Sequence, residues 1–188
     1  MPDAEPLATP DGGSTGEDFA ATSRPGTHPS GSQYASELPY PEELSALLEG
    51  RYAVESFLGQ GGMGAVYRGL QMPLKRPVAI KILQRKGQAD DFGFEVRFQR
   101  EAYAMASLTH PNIVQVYDCG SAGNDYLFIS MELMEGGDLS DAIKAGQVTL
   151  GTALKLIPQI CDGMQAAHER AIVHRDIKPA NILLEEGV

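Results

Sequence analysis

The sequence contains no run of eighteen or more apolar residues, although 43% of its 188 residues are apolar, so no membrane-spanning helix is written into it. Its first residues, Met1-Pro2-Asp3-Ala4-Glu5, have neither the basic start nor the apolar stretch of a secretory signal. The two cysteines, Cys119 and Cys161, lack the close spacing of a metal site, and buried free thiols in a reducing cytosol are expected. A basic stripe able to track a phosphate backbone is also missing from a chain of net charge −10, so nucleic acid is not an expected partner. These absences point to a cytoplasmic protein. Its length allows one substantial core or two small lobes.

The acidity is uneven. Residues 1–50 carry nine acids against one base, Arg24, for −8, and the remainder sits at −2. Seven of the twelve prolines fall within residues 2–41, among Gly, Ser, Thr and Asp. Such a segment cannot bury enough surface to offset the entropy of ordering it, so residues 1–40 are expected to form a disordered acidic leader. From Pro41 the pattern changes. Pro41-Glu42-Glu43-Leu44 puts a proline in a first helical turn and acids near the positive end of its dipole, and Gly50 can stop that helix, giving a short helix or linker over 41–50.

Strand character begins at Arg51. Tyr52 and Val54 alternate with Ala53 and Glu55, and Leu58 runs into Gly59-Gln60-Gly61-Gly62-Met63-Gly64. A Gly-x-Gly-x-x-Gly pattern also occurs in dinucleotide-binding turns, which feed a helix and carry an acid about twenty residues on. Here the β-prone run Ala65-Val66-Tyr67-Arg68 follows, and the position where that acid would fall is Gln84. A strand–glycine loop–strand hairpin is the better reading, with glycines that let backbone N–H groups approach phosphate oxygens. In the next strand, a period of two puts Val78, Ile80 and Ile82 on one face and Ala79, Lys81 and Leu83 on the other.

Further along, Phe94, Phe98, Met105 and Leu108 mark a helix over 94–108, and two β-runs, 113–119 and 126–133, flank a turn-rich link. A short helix is expected over 139–145. Leu150, Leu154, Ile157, Cys161, Met164 and His168 recur at helical spacing and predict a core stripe, with Pro158 expected to kink the first turns or mark a late start. Ala171 stands where a helix end often takes glycine; a left-handed backbone there would cost on the order of 1 kcal/mol. Short strands are expected at Ile172-Val173 and Ile182-Leu183-Leu184, on either side of His174-Arg175-Asp176-Ile177-Lys178-Pro179-Ala180-Asn181. That octet suits phosphoryl transfer. Asp176 can accept a hydroxyl proton, Lys178 can balance phosphate charge, and the Asn181 carbonyl can ligate Mg²⁺.

The ordered set of the glycine hairpin, Val78-Ala79-Ile80-Lys81, Arg100-Glu101-Ala102, His110-Pro111-Asn112 and the octet resembles the protein kinase superfamily. Gly-Gly-Met-Gly-x-Val-Tyr and His-Arg-Asp-Ile-Lys-Pro look like its bacterial receptor-type serine/threonine branch. The resemblance covers 51–187 and implies an α+β, protein-kinase-like fold. An antiparallel five-stranded small lobe and hinge over 51–134, with one main helix, would precede the first helices and catalytic loop of an incomplete helical large lobe over 135–188. The implied activity is transfer of the ATP γ-phosphate to a Ser or Thr hydroxyl of a protein substrate, with ATP and Mg²⁺ as cofactors.

Residue by residue, the resemblance implies that Gly59, Gly61 and Gly64 cover the phosphates and that Leu58, Val66 and Ala79 sandwich the adenine. Lys81, paired to Glu101, would position the phosphates. Backbone groups around Glu132 and Met134 would bind the adenine edge behind which Met131 limits the pocket. Asp138 would reach the ribose hydroxyls, or alternatively cap the following helix. Asp176 and Lys178 would be catalytic, Asn181 would hold Mg²⁺, and Arg175 would tether a phosphorylated activation loop. His110 is expected to be a packed, hydrogen-bonded residue.

No Asp-Phe-Gly follows Leu184. The chain is therefore expected to be the N-terminal piece of a kinase domain, inactive and poorly soluble alone, with apolar faces around Leu154, Ile157 and Met164 left exposed. Any membrane anchor that a longer parent carries is expected downstream of this segment. The alternative is a non-catalytic nucleotide-binding or interaction remnant.

Overall fold

The computed structural model describes residues 38–61, 64–85 and 91–185. The disorder expected of the leader falls, up to residue 37, outside the described residues, as do Gly62 and Met63 of the glycine loop. Alternating apolar residues build five strands: β1 (Tyr52–Gly61), β2 (Gly64–Gln71), β3 (Arg76–Gln84), β4 (Val116–Ala122) and β5 (Tyr126–Glu132). They form one antiparallel sheet in the order β1-β2-β3-β5-β4. Helix α1 (Pro41–Leu47) precedes the sheet and α2 (Asp91–Ala106) joins β3 to β4. After β5 come α3 (Leu139–Lys144), α4 (Leu150–His168) and a 3-10 turn, Pro179–Asn181. This is the α+β arrangement expected from the sequence.

Period-two alternation decides what each sheet face buries. Val78, Ile80 and Ile82 join Tyr67 and Phe128 in one core, closed from above by Leu44 and Leu48 around the end of α1. Leu83 points the other way and packs with Leu127, Ile129, Phe98 and Ala102 under α2. Fully burying a leucine contributes about 1.5–3 kcal/mol, so α1 is packed structure and not a free tether. Its start is fixed by Pro41 and by Glu43, whose carboxylate accepts from the Tyr40 amide at 2.8 Å. Two left-handed residues, Glu49 (φ 55°) and Gly50 (φ 71°), turn the chain out of the helix into β1. Tyr67 Oη donates to Pro39 O at 2.8 Å, and burial pushes that phenol's pKa up.

Several element boundaries differ from the sequence expectation. β4 starts at Val116 rather than 113, because the His110-Pro111-Asn112 turn continues through Ile113, whose amide donates to His110 O at 3.0 Å. The turn also uses His110 as expected, with Nδ1 accepting from the Asn112 amide at 3.1 Å. α4 has neither a late start nor a break: it runs from Leu150 through Pro158, capped by Thr149, whose hydroxyl accepts from the Thr152 amide at 3.1 Å. No strand forms at Ile172-Val173. Residues 182–184 make only an isolated bridge, Leu183 to Asp138, because a single crossing segment offers no ladder to extend.

On α4 the packing expected of Cys161 and His168 is corrected, while Leu154 and Ile157 stand exposed as expected of this chain. Leu156, Gly163 and Ala167 are buried, whereas Leu150, Leu154 and Ile157 are 77%, 63% and 56% exposed. Cys161 and His168 are exposed rather than packed, and Met164 is half-buried. The helix carries two apolar stripes, and α3 with residues 182–184 takes the one bearing Leu156 and Ile160. Cys119 is half-buried and its thiol pKa is raised by burial; Cys161 is the thiol that reaches solvent. No helix among the described residues is long and apolar enough to cross a membrane.

The end of α4 needs the left-handed residue that the sequence left conditional. The Ile172 amide donates to Ala167 O and the Ala171 amide to His168 O, the bond pair that closes a helix through a left-handed residue. Ala171 occupies that position with φ 58°. Replacing Ala171 by Gly is expected to stabilise the fold by about 1 kcal/mol, read as a higher urea midpoint at unchanged slope. A lower midpoint would mean that the alanine methyl contributes more by packing than its backbone strain costs.

Candidate active site

Antiparallel register brings the predicted nucleotide residues into rows across the sheet. Gly59 pairs with Val66, Val66 with Lys81, and Lys81 with Ile129. One row along, Arg68 pairs with Ala79 and Ala79 with Met131. Both rows lie on the face opposite Tyr67 and Ile80, so Val66, Ala79 and Lys81 share one surface beneath the glycine hairpin. Val66 is 9% exposed, Ala79 8% and Lys81 8%, while Leu58 is half-buried. The hairpin closes with Gly61 opposite Gly64. Gly64 must lack a side chain, since a Cβ there would stand 1.9 Å from Ile82 O.

Glu101 sits on α2 with an exposed side chain, on the helix that packs against β4. At the far end of β5, the Glu132 amide donates to Gln115 O at 2.9 Å and its carboxylate accepts from the Gln115 amide at 3.2 Å. Met134 follows in the loop to α3, half-buried. Asp138 is the N-cap of α3, with Oδ1 accepting from the Asp141 amide at 2.9 Å. The residue is only 1% exposed, and its Oδ2 is enclosed without a hydrogen-bond partner. Of the two roles expected for it, the cap is the one this geometry displays.

The octet folds onto itself. Asn181 Nδ2 donates both to Asp176 O and to Asp176 Oδ2, each at 2.8 Å. Lys178 Nζ lies 3.1 Å from the same Oδ2. His174 Nδ1 accepts from the Asp176 amide at 3.3 Å, and Arg175 takes a left-handed φ of 64° to turn the chain between them. The 3-10 turn then brings Asn181 back, its amide donating to Lys178 O at 2.9 Å. A candidate base, a cation and an amide thus meet within one loop, as the sequence predicted.

Residues 52–188 match the protein kinase domain model. The chain belongs to the protein kinase family. It is 41% identical over 143 residues to the serine/threonine-protein kinase pkn2 of Myxococcus xanthus, covering 76% of this chain and 17% of that protein. It is 41% identical to PknL of Mycobacterium tuberculosis (76% of this chain, 35% of that protein) and 45% identical to PrkC of Bacillus subtilis (73% and 21%). The chain therefore spans at most about a third of the length of these curated relatives.

Asn181 Oδ1 is buried and has no hydrogen-bond partner, while the Nδ2 of the same amide is spent on Asp176. A carbonyl-type oxygen held in place and left without a donor fits a hard cation such as Mg²⁺. Among the described residues no cluster of three or more His, Cys, Asp or Glu side chains forms a metal cage, so Asn181 is the ligand these residues offer. The sequence does contain an Asp-Phe-Gly, Asp91–Gly93, but it opens α2, upstream of the catalytic loop and in helical backbone.

One element of the cleft escaped the sequence reading. Arg68 Nε lies 3.2 Å from Glu55 Oε2 and its Nη1 lies 2.6 Å from Glu135 Oε1. The Glu135 hydrogen bond leads the causes that push the Arg68 pKa up. A signal was available: Arg68 stands two residues after Val66 and so shares its strand face.

Proposed function

We propose that the polypeptide carrying these residues is an ATP-dependent protein serine/threonine kinase. The observation that carries this reading is the Asn181 amide, clamped on Asp176 through Nδ2 and bearing an unpartnered Oδ1. Such an arrangement holds a base and a metal ligand in one rigid unit, which is what phosphoryl transfer asks of a protein.

In this reading ATP lies under the β1–β2 hairpin. Leu58, Val66 and Ala79 flank the adenine, and backbone groups near Glu132 and Met134 bind its edge. Glycines 59, 61 and 64 admit the phosphates close to the backbone. Lys81, oriented by Glu101, draws the phosphates into line. Mg²⁺, when bound, offsets phosphate charge, with Asn181 as one ligand. The acceptor Ser or Thr oxygen attacks the γ-phosphorus, and the bond from that phosphorus to the oxygen bridging it to the β-phosphate breaks. The hydroxyl proton passes to Asp176. Lys178, 3.1 Å from Asp176, stabilises charge on the transferred group. We assign Asp138 first to the α3 cap; a ribose hydroxyl reaches its enclosed Oδ2 only where the surrounding chain opens. ATP, the donor, is cytoplasmic, so the domain works in that compartment, whether or not the longer protein has an anchor.

Incubation of the natural full-length polypeptide with γ-labelled ATP and Mg²⁺ tests the proposal. Label is expected in phosphoserine or phosphothreonine, on the protein itself or on an added substrate. Saturable ATP binding with no label transferred would instead favour a non-catalytic nucleotide-binding module. The 188-residue polypeptide taken alone, without an Asp-Phe-Gly after Leu184, is expected to transfer no label.

A further inference from the structure

The glycine hairpin roofs the nucleotide cleft, and a roof on two strands is useful only if its height above the catalytic loop is defined. Most contacts of β2 stay inside the sheet. Arg68 is different. Its guanidinium reaches Glu55 on the neighbouring strand β1 with one nitrogen and Glu135, in the chain leaving the hinge, with another. The register puts Arg68 beside Ala79 and, through it, Met131, on the same face of the sheet as Val66 and Lys81.

What lies beyond Glu135 gives that contact its reach. The Gly136 amide donates to Leu184 O at 3.0 Å, and Gly137 O accepts from the Leu184 amide at 2.9 Å. The approach is close enough that a Cβ on Gly136 would stand 2.3 Å from Glu185 O. Leu184 is three residues past Asn181, the residue that clamps Asp176. A connected path of short contacts therefore runs from the hairpin through Arg68 and Glu135 to the backbone carrying the catalytic loop.

We propose that Arg68 is a positioning residue that latches the glycine hairpin to the chain leaving the hinge and so sets the roof of the cleft over the catalytic loop. The latch rests on the reading of this cleft as the nucleotide site. Arginine suits the task because its planar fork presents separate N–H groups to two carboxylates, whereas a lysine offers one point charge. Both ion pairs are partly solvent-exposed, with side-chain exposures of 38% for Arg68 and 47% for Glu135. The latch is therefore weak, reversible and sensitive to salt, as a roof that must open for nucleotide exchange requires.

The two carboxylates supply an internal control, since Glu55→Gln neutralises an ion pair within the hairpin and Glu135→Gln neutralises the one that leaves it. In the natural full-length polypeptide, amide hydrogen exchange over residues 57–68 is read without nucleotide, and release of a fluorescent ATP analogue is read with Mg²⁺. Glu135→Gln is expected to speed both by about two- to fivefold, Glu55→Gln to leave both near wild type, and Arg68→Lys to fall between. The gap between wild type and Glu135→Gln should close in about 0.5 M salt. Equal effects of the two glutamine variants, or no effect of Glu135→Gln on exchange, overturn the latch. If the wild type binds no nucleotide, the nucleotide reading fails, and the exchange comparison still decides whether the hairpin is held.

Discussion

Asp176→Asn is expected to slow phosphoryl transfer by about 10²- to 10⁴-fold, the range contributed by a positioned general base. The variant keeps the shape of the side chain, so an amide oxygen can still accept from Asn181 Nδ2, which lies 2.8 Å from Asp176 Oδ2. What disappears is the acceptor for the substrate proton and the negative charge that holds Lys178 at 3.1 Å. ATP affinity should stay within about twofold, because the lost interaction matters in the transition state and not in nucleotide binding. Steady-state kinetics on the full-length polypeptide read both values. A large rise in the KM for ATP with little change in kcat would place Asp176 in binding instead.

Lys81→Met is expected to cost about 10²- to 10³-fold in kcat, comparable to removing one preorganised donor from a charged transition state. Lys81 is 8% exposed on β3, between Val66 of β2 and Ile129 of β5 in register. A buried ammonium is costly to desolvate, and methionine fills nearly the same volume without that cost. The desolvation saved offsets the interaction that Lys81 loses, so thermal stability is expected to change little while activity collapses. That split separates a functional lysine from a structural one: a structural role would lower the melting temperature in step with the rate.

The sheet was legible because strand alternation reports burial directly. Val78, Ile80 and Ile82 on one face and Lys81 and Leu83 on the other followed from a period of two alone. The glycine hairpin was legible because Ala65-Val66-Tyr67 is too β-prone to open a helix. The octet was legible because its donors and acceptors are neighbours in sequence, so its geometry is local. A left-handed Ala171 was foreseen only as a condition, since whether a helix end closes through that residue depends on the bonds made by Ala167 and His168.

Less could be read where tertiary partners choose. α4 carries apolar residues on two stripes, and periodicity alone cannot say which one α3 and residues 182–184 will cover. They cover Leu156, so Cys161 and His168 lose the packing expected of them, and Leu154 and Ile157 stay exposed as expected. The short strands expected around the catalytic loop did not form because β-propensity without a paired neighbour yields at most a bridge. Asp138 had two compatible roles in sequence, and only its burial and its bond to the Asp141 amide brought the cap forward. Arg68 joins carboxylates that are 13 and 67 residues away along the chain, a separation no local pattern reports.

The most direct measurement is a single-turnover transfer of γ-label from ATP to a Ser/Thr-containing protein substrate, run in parallel for wild type, Asp176→Asn and Lys81→Met. Label in phosphoserine or phosphothreonine for the wild type, reduced at least about 100-fold in both variants, is the expected result. Label that persists at the wild-type rate in Asp176→Asn, or its absence from the wild type despite bound ATP and Mg²⁺, would contradict the account.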